Sequence, residues 1–129
     1  SRISRQVINT TGIGYAYSDD TTGLPLSDSS RTMMGWFKQG SSGSGIAFGY
    51  GSVVAQGMFS ALIHSSYVGF DWGYSGSFLN YMNPRPELTT DTWYHVAYIV
   101  DNVNATMSMY VDGTFRKKEN DVAPNTVGE

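Results

Sequence analysis

Apolar and polar residues alternate over short stretches of this chain, and glycine or polar turn residues separate the stretches. In residues 106–111, Met107, Met109 and Val111 fall on one side of an extended strand, and Ser108 and Tyr110 fall on the other. No window of a dozen residues keeps apolar positions at helical spacing without a Gly or Pro intervening. The pattern therefore predicts an all-β chain.

Strand signals recur along the chain at the spacing expected of a meander. The predicted strands are 7–17, 31–38, 45–50, 57–64, 67–72, 77–82, 93–100, 106–111 and 114–116.

The segment 93–100 is apolar on both faces, which predicts a central position in its sheet. The turn residues 101–104 join it to the next strand as a hairpin, and Asp112-Gly113 then turns the chain again. The Gly- and Ser-rich residues 40–45 are predicted to form a hairpin loop, since apolar strands flank them closely. These signals predict consecutive antiparallel strands late in the chain.

Size and composition bound the class of protein. With 129 residues, 40% of them hydrophobic, 14% aromatic and 15% charged, the chain is expected to fold as one domain over residues 1–129, with a loosely ordered tail from about residue 119. A net charge of −3, with no basic run longer than residues 116–118, argues against nucleic acid. The absence of Cys excludes a disulfide framework and thiolate chemistry. No apolar run approaches the roughly 20 residues of a membrane-spanning helix, so no membrane insertion is expected.

Three segments in order resemble the laminin-G-like domains of the concanavalin A-like lectin and glucanase superfamily. They are SRTMMGWFK at 30–38, FDWGYSGSF at 70–78 and TWYHVAYIVDNVNATMSMYVDGTF at 92–115. The resemblance implies a two-sheet antiparallel jelly-roll sandwich. In such a core, a Trp that opens a strand, as Trp93 does, is expected to cap one end with its large apolar surface.

The resemblance also bears on the edges of the sheets. In the family two more strands follow this hairpin, one of them beside the first strand, whereas this sequence ends at Glu129. The expected sandwich lacks its last strands, or the missing edge is supplied otherwise. Because an unpaired edge invites strand pairing between chains, a homo-oligomer is expected.

A candidate carbohydrate-binding site lies in the aromatic-rich segment 67–81. Aromatic faces stack on the apolar side of a sugar ring while carboxylates and amides fix its hydroxyl groups, which indicates Trp72 and Tyr74 with Asp71 and Asn80 as ligand-binding residues. The alternative is that these aromatic residues, together with Phe70, close the core.

The resemblance implies calcium as a candidate ligand, since many family members bind it through loop carboxylates and carbonyls. The acidic loops near the N-terminus offer Asp19, Asp20 and Asp28 as metal ligands. None of these has a defined coordination spacing, and solvated turn residues are the alternative interpretation.

Catalytic motifs are weak. Retaining glycosidases place two carboxyl groups roughly 5 Å apart, whereas Glu87, Glu119 and Glu129 are scattered along the chain. His64 and His95 lie inside apolar strands, where packed imidazoles are expected, and no Ser sits in a nucleophile-elbow pattern. The sequence therefore predicts no catalytic residue.

The prediction is a non-enzymatic recognition module, extracellular or on the cell surface, that binds a carbohydrate or glycoprotein ligand or serves in adhesion. The alternative is a protein-interaction or structural sandwich that self-associates through an open sheet edge. A glycoside hydrolase of the glucanase type is a distant third. Similarity of fold alone does not establish function, so the site has to decide between them.

Overall fold

The structure is a computed structural model, and it describes residues 18, 20, 22–40, 43, 45–51, 57–64, 67–71, 88–122, 125 and 126. These residues form seven strands and no helix. The strands are β1 Arg31–Lys38, β2 Gly45–Gly51, β3 Met58–His64, β4 Tyr67–Asp71, β5 Trp93–Asp101, β6 Thr106–Val111 and β7 Thr114–Asn120. The strands predicted at 7–17 and 77–82 lie outside the described residues.

The seven strands form two antiparallel sheets. One sheet has the order β1-β5-β6-β7 and the other the order β2-β3-β4. This architecture confirms the predicted all-β, two-sheet antiparallel sandwich. Strand β5 lies between β1 and β6, as its apolar residues on both faces predicted.

Alternation along β5 separates the core from the outer face of the four-stranded sheet. Val96, Tyr98 and Val100 point inward and are at most 2% exposed, whereas Trp93 on the opposite face is 44% exposed. The expectation that Trp93 caps the core is therefore wrong, because the two-residue period of the strand places it on the outer face. Its neighbour Tyr94 packs against the core instead.

A run of aromatic rings crosses the interior from one sheet to the other. Phe59 and Phe70 meet edge to face at 4.8 Å between ring centroids, and Phe70 lies 5.3 Å from Tyr98. The Tyr98 hydroxyl, on β5, donates a hydrogen bond to the buried carbonyl of Gly69 on β4. Tyr98 thus joins the two sheets through both packing and a buried hydrogen bond.

The side chain of Phe48, on β2, lies close to the backbone of β1 at Gly35. A Cβ atom at Gly35 would lie 2.9 Å from Cε1 of Phe48, on β2. The missing side chain of Gly35 therefore gives the Phe48 ring its place between the sheets.

Arg31 is a buried cation at the start of β1, 5% exposed. Its guanidinium lies 5.2 Å from the centroid of the Phe59 ring. Among the described residues it has no carboxylate partner, and it donates instead to carbonyl and hydroxyl oxygens. The acceptors are the carbonyls of Pro25, Ser27 and Ser29 and the hydroxyls of Tyr50 and Thr126. One side chain therefore ties the loop before β1 to β2 and to the C-terminal segment.

The two late turns close by local hydrogen bonds. Asp112 and Gly113 both have positive φ, at 49° and 73°, as the predicted Asp-Gly turn requires. In the turn before β6 the left-handed residue is Ala105, with φ 48°, rather than one of residues 101–104. The Asp101 carboxylate holds that turn by accepting hydrogen bonds from the backbone and side chain of Asn104.

The chain after β7 packs against the rest of the fold where it is described. Strand β7 continues past the predicted residue 116 to Asn120. Val122 and Thr126 are each 1% exposed, and Thr126 forms a backbone bridge with Ser27. Thr126 exchanges two backbone hydrogen bonds with Ser27, and the N–H of Val122 donates to the carbonyl of Ala105.

We expect Arg31→Met to lower the free energy of unfolding by about 3 kcal/mol, because the buried hydroxyl of Thr126 and four part-buried acceptors lose their donor. Lys38→Met is the matched control, since Lys38 is an exposed cation on the same strand and its loss is expected to cost below about 0.5 kcal/mol. Urea unfolding of the two variants and the wild type measures the difference. Equal effects would contradict the role given to Arg31.

Burial raises the pKa of the Tyr98 hydroxyl well above its ordinary value, so this group stays protonated in the fold after the unfolded chain has ionised at about pH 10. The folded state then binds more protons, and stability falls as the pH rises above that value. We expect Tyr98→Phe to cost about 1–2 kcal/mol at neutral pH, because the Gly69 carbonyl loses its donor, and to flatten the alkaline loss. Urea unfolding across this pH range tests it; an unchanged alkaline slope would argue against it.

Candidate functional site

The outer face of the four-stranded sheet exposes large apolar side chains. The strand period points Met34 and Trp36 outward from β1, where they are 61% and 63% exposed, and Phe115 on β7 is 53% exposed. With Trp93, His95 and Tyr110 these residues share one face, as the strand register shows. We call this surface the aromatic platform, formed by Met34, Trp36, Trp93, His95, Tyr110 and Phe115.

Cross-strand contacts order the platform in rows. Trp36 faces His95, with ring centroids 5.2 Å apart, and Tyr110 meets Phe115 edge to face at 5.6 Å. Trp93 lies one row further along, because it pairs with Lys38, and is therefore diagonal to Trp36. Diagonal neighbours on adjacent strands are typically about 7–8 Å apart. The strand register therefore places Trp36 and Trp93 in adjacent rows of the exposed face.

Charged and polar groups surround the tryptophan end of the platform. Lys38 lies opposite Trp93 in the strand register, and its Nζ is 3.9 Å from Oδ1 of Asp91. Asp91 has φ 59°, and its backbone N–H donates to the carbonyl of Gln39 at 2.8 Å, which holds the ends of β1 and β5 together. An apolar centre with a polar rim is typical of surfaces that bind a partner or a ligand.

Asp112 fixes the backbone of β5 beneath the platform. Its carboxylate accepts a hydrogen bond from His95 N at 2.8 Å, and its own N–H donates to the His95 carbonyl at the same distance. The His95 ring is thereby set against Trp36. Of the expected packed, hydrogen-bonded imidazoles, the ring contacts are present, since His95 lies against Trp36 and His64 stacks on Tyr67 with centroids 4.5 Å apart.

The carbohydrate site predicted from the sequence falls largely outside the described residues. Trp72, Tyr74 and Asn80 lie there, and of Asp71 the backbone is described, as the last residue of β4. The backbone of Asp71 pairs with Ser60 of β3, in the three-stranded sheet, whereas the platform is on the four-stranded sheet.

The metal ligands predicted near the N-terminus are described in part. The Asp20 carboxylate accepts a hydrogen bond from Thr22 N at 2.9 Å, and hydrogen bonds from Thr22 lower the pKa of that carboxyl. Asp28 is exposed, and Asp19 lies outside the described residues. In the part of the chain that the structure describes, no group of three or more His, Cys, Asp or Glu side chains could hold a metal ion.

The fold and its exposed face define a β-sandwich domain of the binding and recognition class. A family model of laminin-G-like domains, described as the concanavalin A-like lectin/glucanases superfamily, matches residues 10–128. The chain therefore belongs to this superfamily, and the resemblance found in the sequence is confirmed.

Among solved structures, the fold is similar to that of a native heptameric SAP-like pentraxin from Limulus polyphemus, with a TM-score of 0.55 and 19% identity. The match covers 80% of this chain and 48% of the pentraxin chain, so this chain spans about half the length of that relative. At this identity the likeness shows the fold alone. Comparison with curated proteins gave no significant match. In the described ranges, no helix has the length and apolar character needed to span a membrane.

The platform was not predicted as a site from the sequence. Trp36 entered as part of the strand 31–38 and Trp93 as a cap of the core. The sequence of β1 did contain a signal for the exposure of Met34 and Trp36. In an extended strand both residues fall on the same face as Thr32 and Lys38 and opposite to the buried Phe37. Trp93 is on the same face because it pairs with Lys38, and this pairing between two strands cannot be read from the sequence of either strand alone.

We expect Trp36→Ala to change the free energy of unfolding by less than about 1 kcal/mol, because most of this side chain is already in water. Phe59→Ala, at a fully buried position in the facing sheet, is expected to cost about 3–5 kcal/mol. Urea unfolding of both variants measures the contrast. A loss at Trp36 as large as that at Phe59 would show that the platform residue is structural.

Proposed function

We propose that this chain is a non-enzymatic recognition domain that binds carbohydrate by stacking sugar rings on exposed aromatic side chains. The observation that carries the proposal is the aromatic platform, where Trp36 and Trp93 are 63% and 44% exposed on neighbouring rows of a regular sheet. Membership of the lectin and glucanase superfamily supports the same function class.

The chemistry of the platform suits a sugar. A pyranose ring has an apolar face that packs on an indole, and its edge carries hydroxyl groups that need donors and acceptors. At the tryptophan end, the ammonium of Lys38 and the carboxylate of Asp91 are side by side, and both are exposed. One ligand could contact the rings through its face and these charged groups through its edge.

A hydrolytic function has less support. Glu119 pairs with Lys117 on β7, and the other two glutamates of the chain, Glu87 and Glu129, are far from it in sequence. A retaining glycosidase needs two carboxyl groups about 5 Å apart, and the sequence supplies no such motif. The proposed domain therefore binds its ligand without transforming it.

Three further elements complete the proposal. Asp71, Trp72, Tyr74 and Asn80 stay a second candidate site that the sequence predicts, and calcium bound by Asp19, Asp20 and Asp28 stays a prediction too. We place the domain outside the cell or on its surface, since laminin-G-like domains are generally extracellular. Each of the two candidate sites makes a different prediction for mutagenesis.

We expect the wild type to bind a defined set of glycans on an array, and the double variant Trp36→Ala/Trp93→Ala to lose about tenfold or more in affinity, because both stacking surfaces are removed. Val103→Ala is the matched control, since this apolar residue is 91% exposed in the turn before β6. Circular dichroism confirms that each variant is folded. The array is run with calcium and again with a chelator.

The other outcomes separate the alternatives. Loss of binding in a folded Trp72→Ala variant, with the double variant unaffected, would move the site to residues 71–80 and overturn the platform. If the wild type binds glycan with calcium present and loses that binding when chelator is added, the result would support the calcium site. No glycan signal in either condition would overturn carbohydrate recognition altogether.

A further inference from the structure

The two edges of the four-stranded sheet are built differently. On β7 the register shifts between Met109 and Tyr110, so that Arg116 is an extra residue in the edge strand. Lys117 and Glu119 pair with the buried residues Met109 and Met107, so their side chains point to the side that faces the core, where they form an ion pair. A bulge and inward-pointing charges are the features by which natural proteins prevent an edge strand from pairing with another chain.

Strand β1, at the other edge, has no bulge, and its one inward-pointing charge, Arg31, is its first residue. It pairs with β5 over residues 31–38 without a register shift, and it contains no Pro. Among the strands that the structure describes, β1 has a partner on one side only. Its exposed side chains include Met34 and Trp36, and its exposed cation Lys38 is beside Asp91.

The hydrogen-bonding direction of β1 follows from its neighbours. Asp112 N donates to the His95 carbonyl, so the backbone of His95 faces β6. Because direction alternates along an antiparallel strand, the backbone of Val96 faces β1 and bonds Gly35. The odd-numbered residues of β1 are therefore used by β5. The N–H and C=O groups of Thr32, Met34, Trp36 and Lys38 point away from β5, to the side where the described strands supply no partner.

We propose that β1 pairs with β1 of a second copy of this chain, antiparallel and centred on Gly35. In this register Met34 lies opposite the partner subunit's Trp36, and Thr32 lies opposite the partner subunit's Lys38. The edge groups then form about eight main-chain hydrogen bonds across the interface.

A second copy suits this edge because its outward residues are self-complementary. The twofold axis produces each Met–Trp contact twice, and thioether and aromatic groups attract each other. It also places each Lys38 opposite a threonine, so no like charges face each other across the interface. The apolar pair is at the centre of the strand, and the charged residue is at its end.

Pairing in this register has a consequence for the platform. The twofold axis is perpendicular to the sheet, so both copies turn their platforms to the same side of one continuous sheet. Ligand sites on such a dimer could engage a repetitive ligand together, a gain that rests on the proposed carbohydrate function. The pairing itself does not depend on a ligand.

Charge substitutions at Thr32 test the interface and its register. We expect Thr32→Lys to raise the dimer dissociation constant by about tenfold, because a like charge then opposes Lys38 in both symmetry-related pairs, and Thr32→Glu to lower it by a similar factor. Thr114→Lys is the matched control, an identical charge change at an exposed position of β7. Sedimentation equilibrium from micromolar to millimolar protein at low salt measures the constants, and urea unfolding checks the fold.

The supporting result is a wild-type dimer with opposite effects of Lys and Glu at position 32, both weakened by added salt. A wild type that stays monomeric throughout the concentration range would overturn the proposal. So would a dimer in which Thr32→Lys behaves like Thr114→Lys. Because these measurements contain no glycan, a failure here and a failure of carbohydrate binding are distinguishable.

Discussion

The packing of Tyr98 between the sheets is the interaction on which the arrangement of this domain depends. Its ring contacts Phe70, and its hydroxyl donates to the buried carbonyl of Gly69, so one side chain of β5 holds the three-stranded sheet. Burying a phenol favours its neutral form and requires a hydrogen-bond partner, and the Gly69 carbonyl supplies that partner. The inward face of β5 is thereby fixed, and with it the face that points outward.

The outward face of the same strand supplies part of the platform. Because side chains alternate along a strand, placing Val96 and Tyr98 in the core places Trp93 and His95 on the surface. The platform is therefore a consequence of how β5 is anchored, and β1 completes it with Met34 and Trp36. A regular sheet holds these rings in place, which lowers the side-chain entropy that the protein would lose on binding a ligand.

Arg31 provides a second set of interactions that hold the fold together, since three segments distant in sequence meet at its side chain. The N–H groups of this buried guanidinium have hydrogen-bond acceptors in the surrounding carbonyl and hydroxyl oxygens. The face of Phe59 stabilises its charge further. The loop before β1 and the segment around Thr126 are held through it. This accounts for the burial of Thr126 in a tail whose polar sequence suggested fraying.

The sequence by itself determined the fold class, the bounds of most described strands and the family, because period-two alternation and turn residues are local signals. Asp112-Gly113 and the apolar β5 are examples, each decided by residues adjacent in the chain. The tertiary structure alone decided which face of β5 is buried, why Trp93 is exposed, and that Arg31 joins the loop before β1 to Thr126. These depend on strand register and on contacts between distant residues, and a one-residue change of register would exchange the core for the surface.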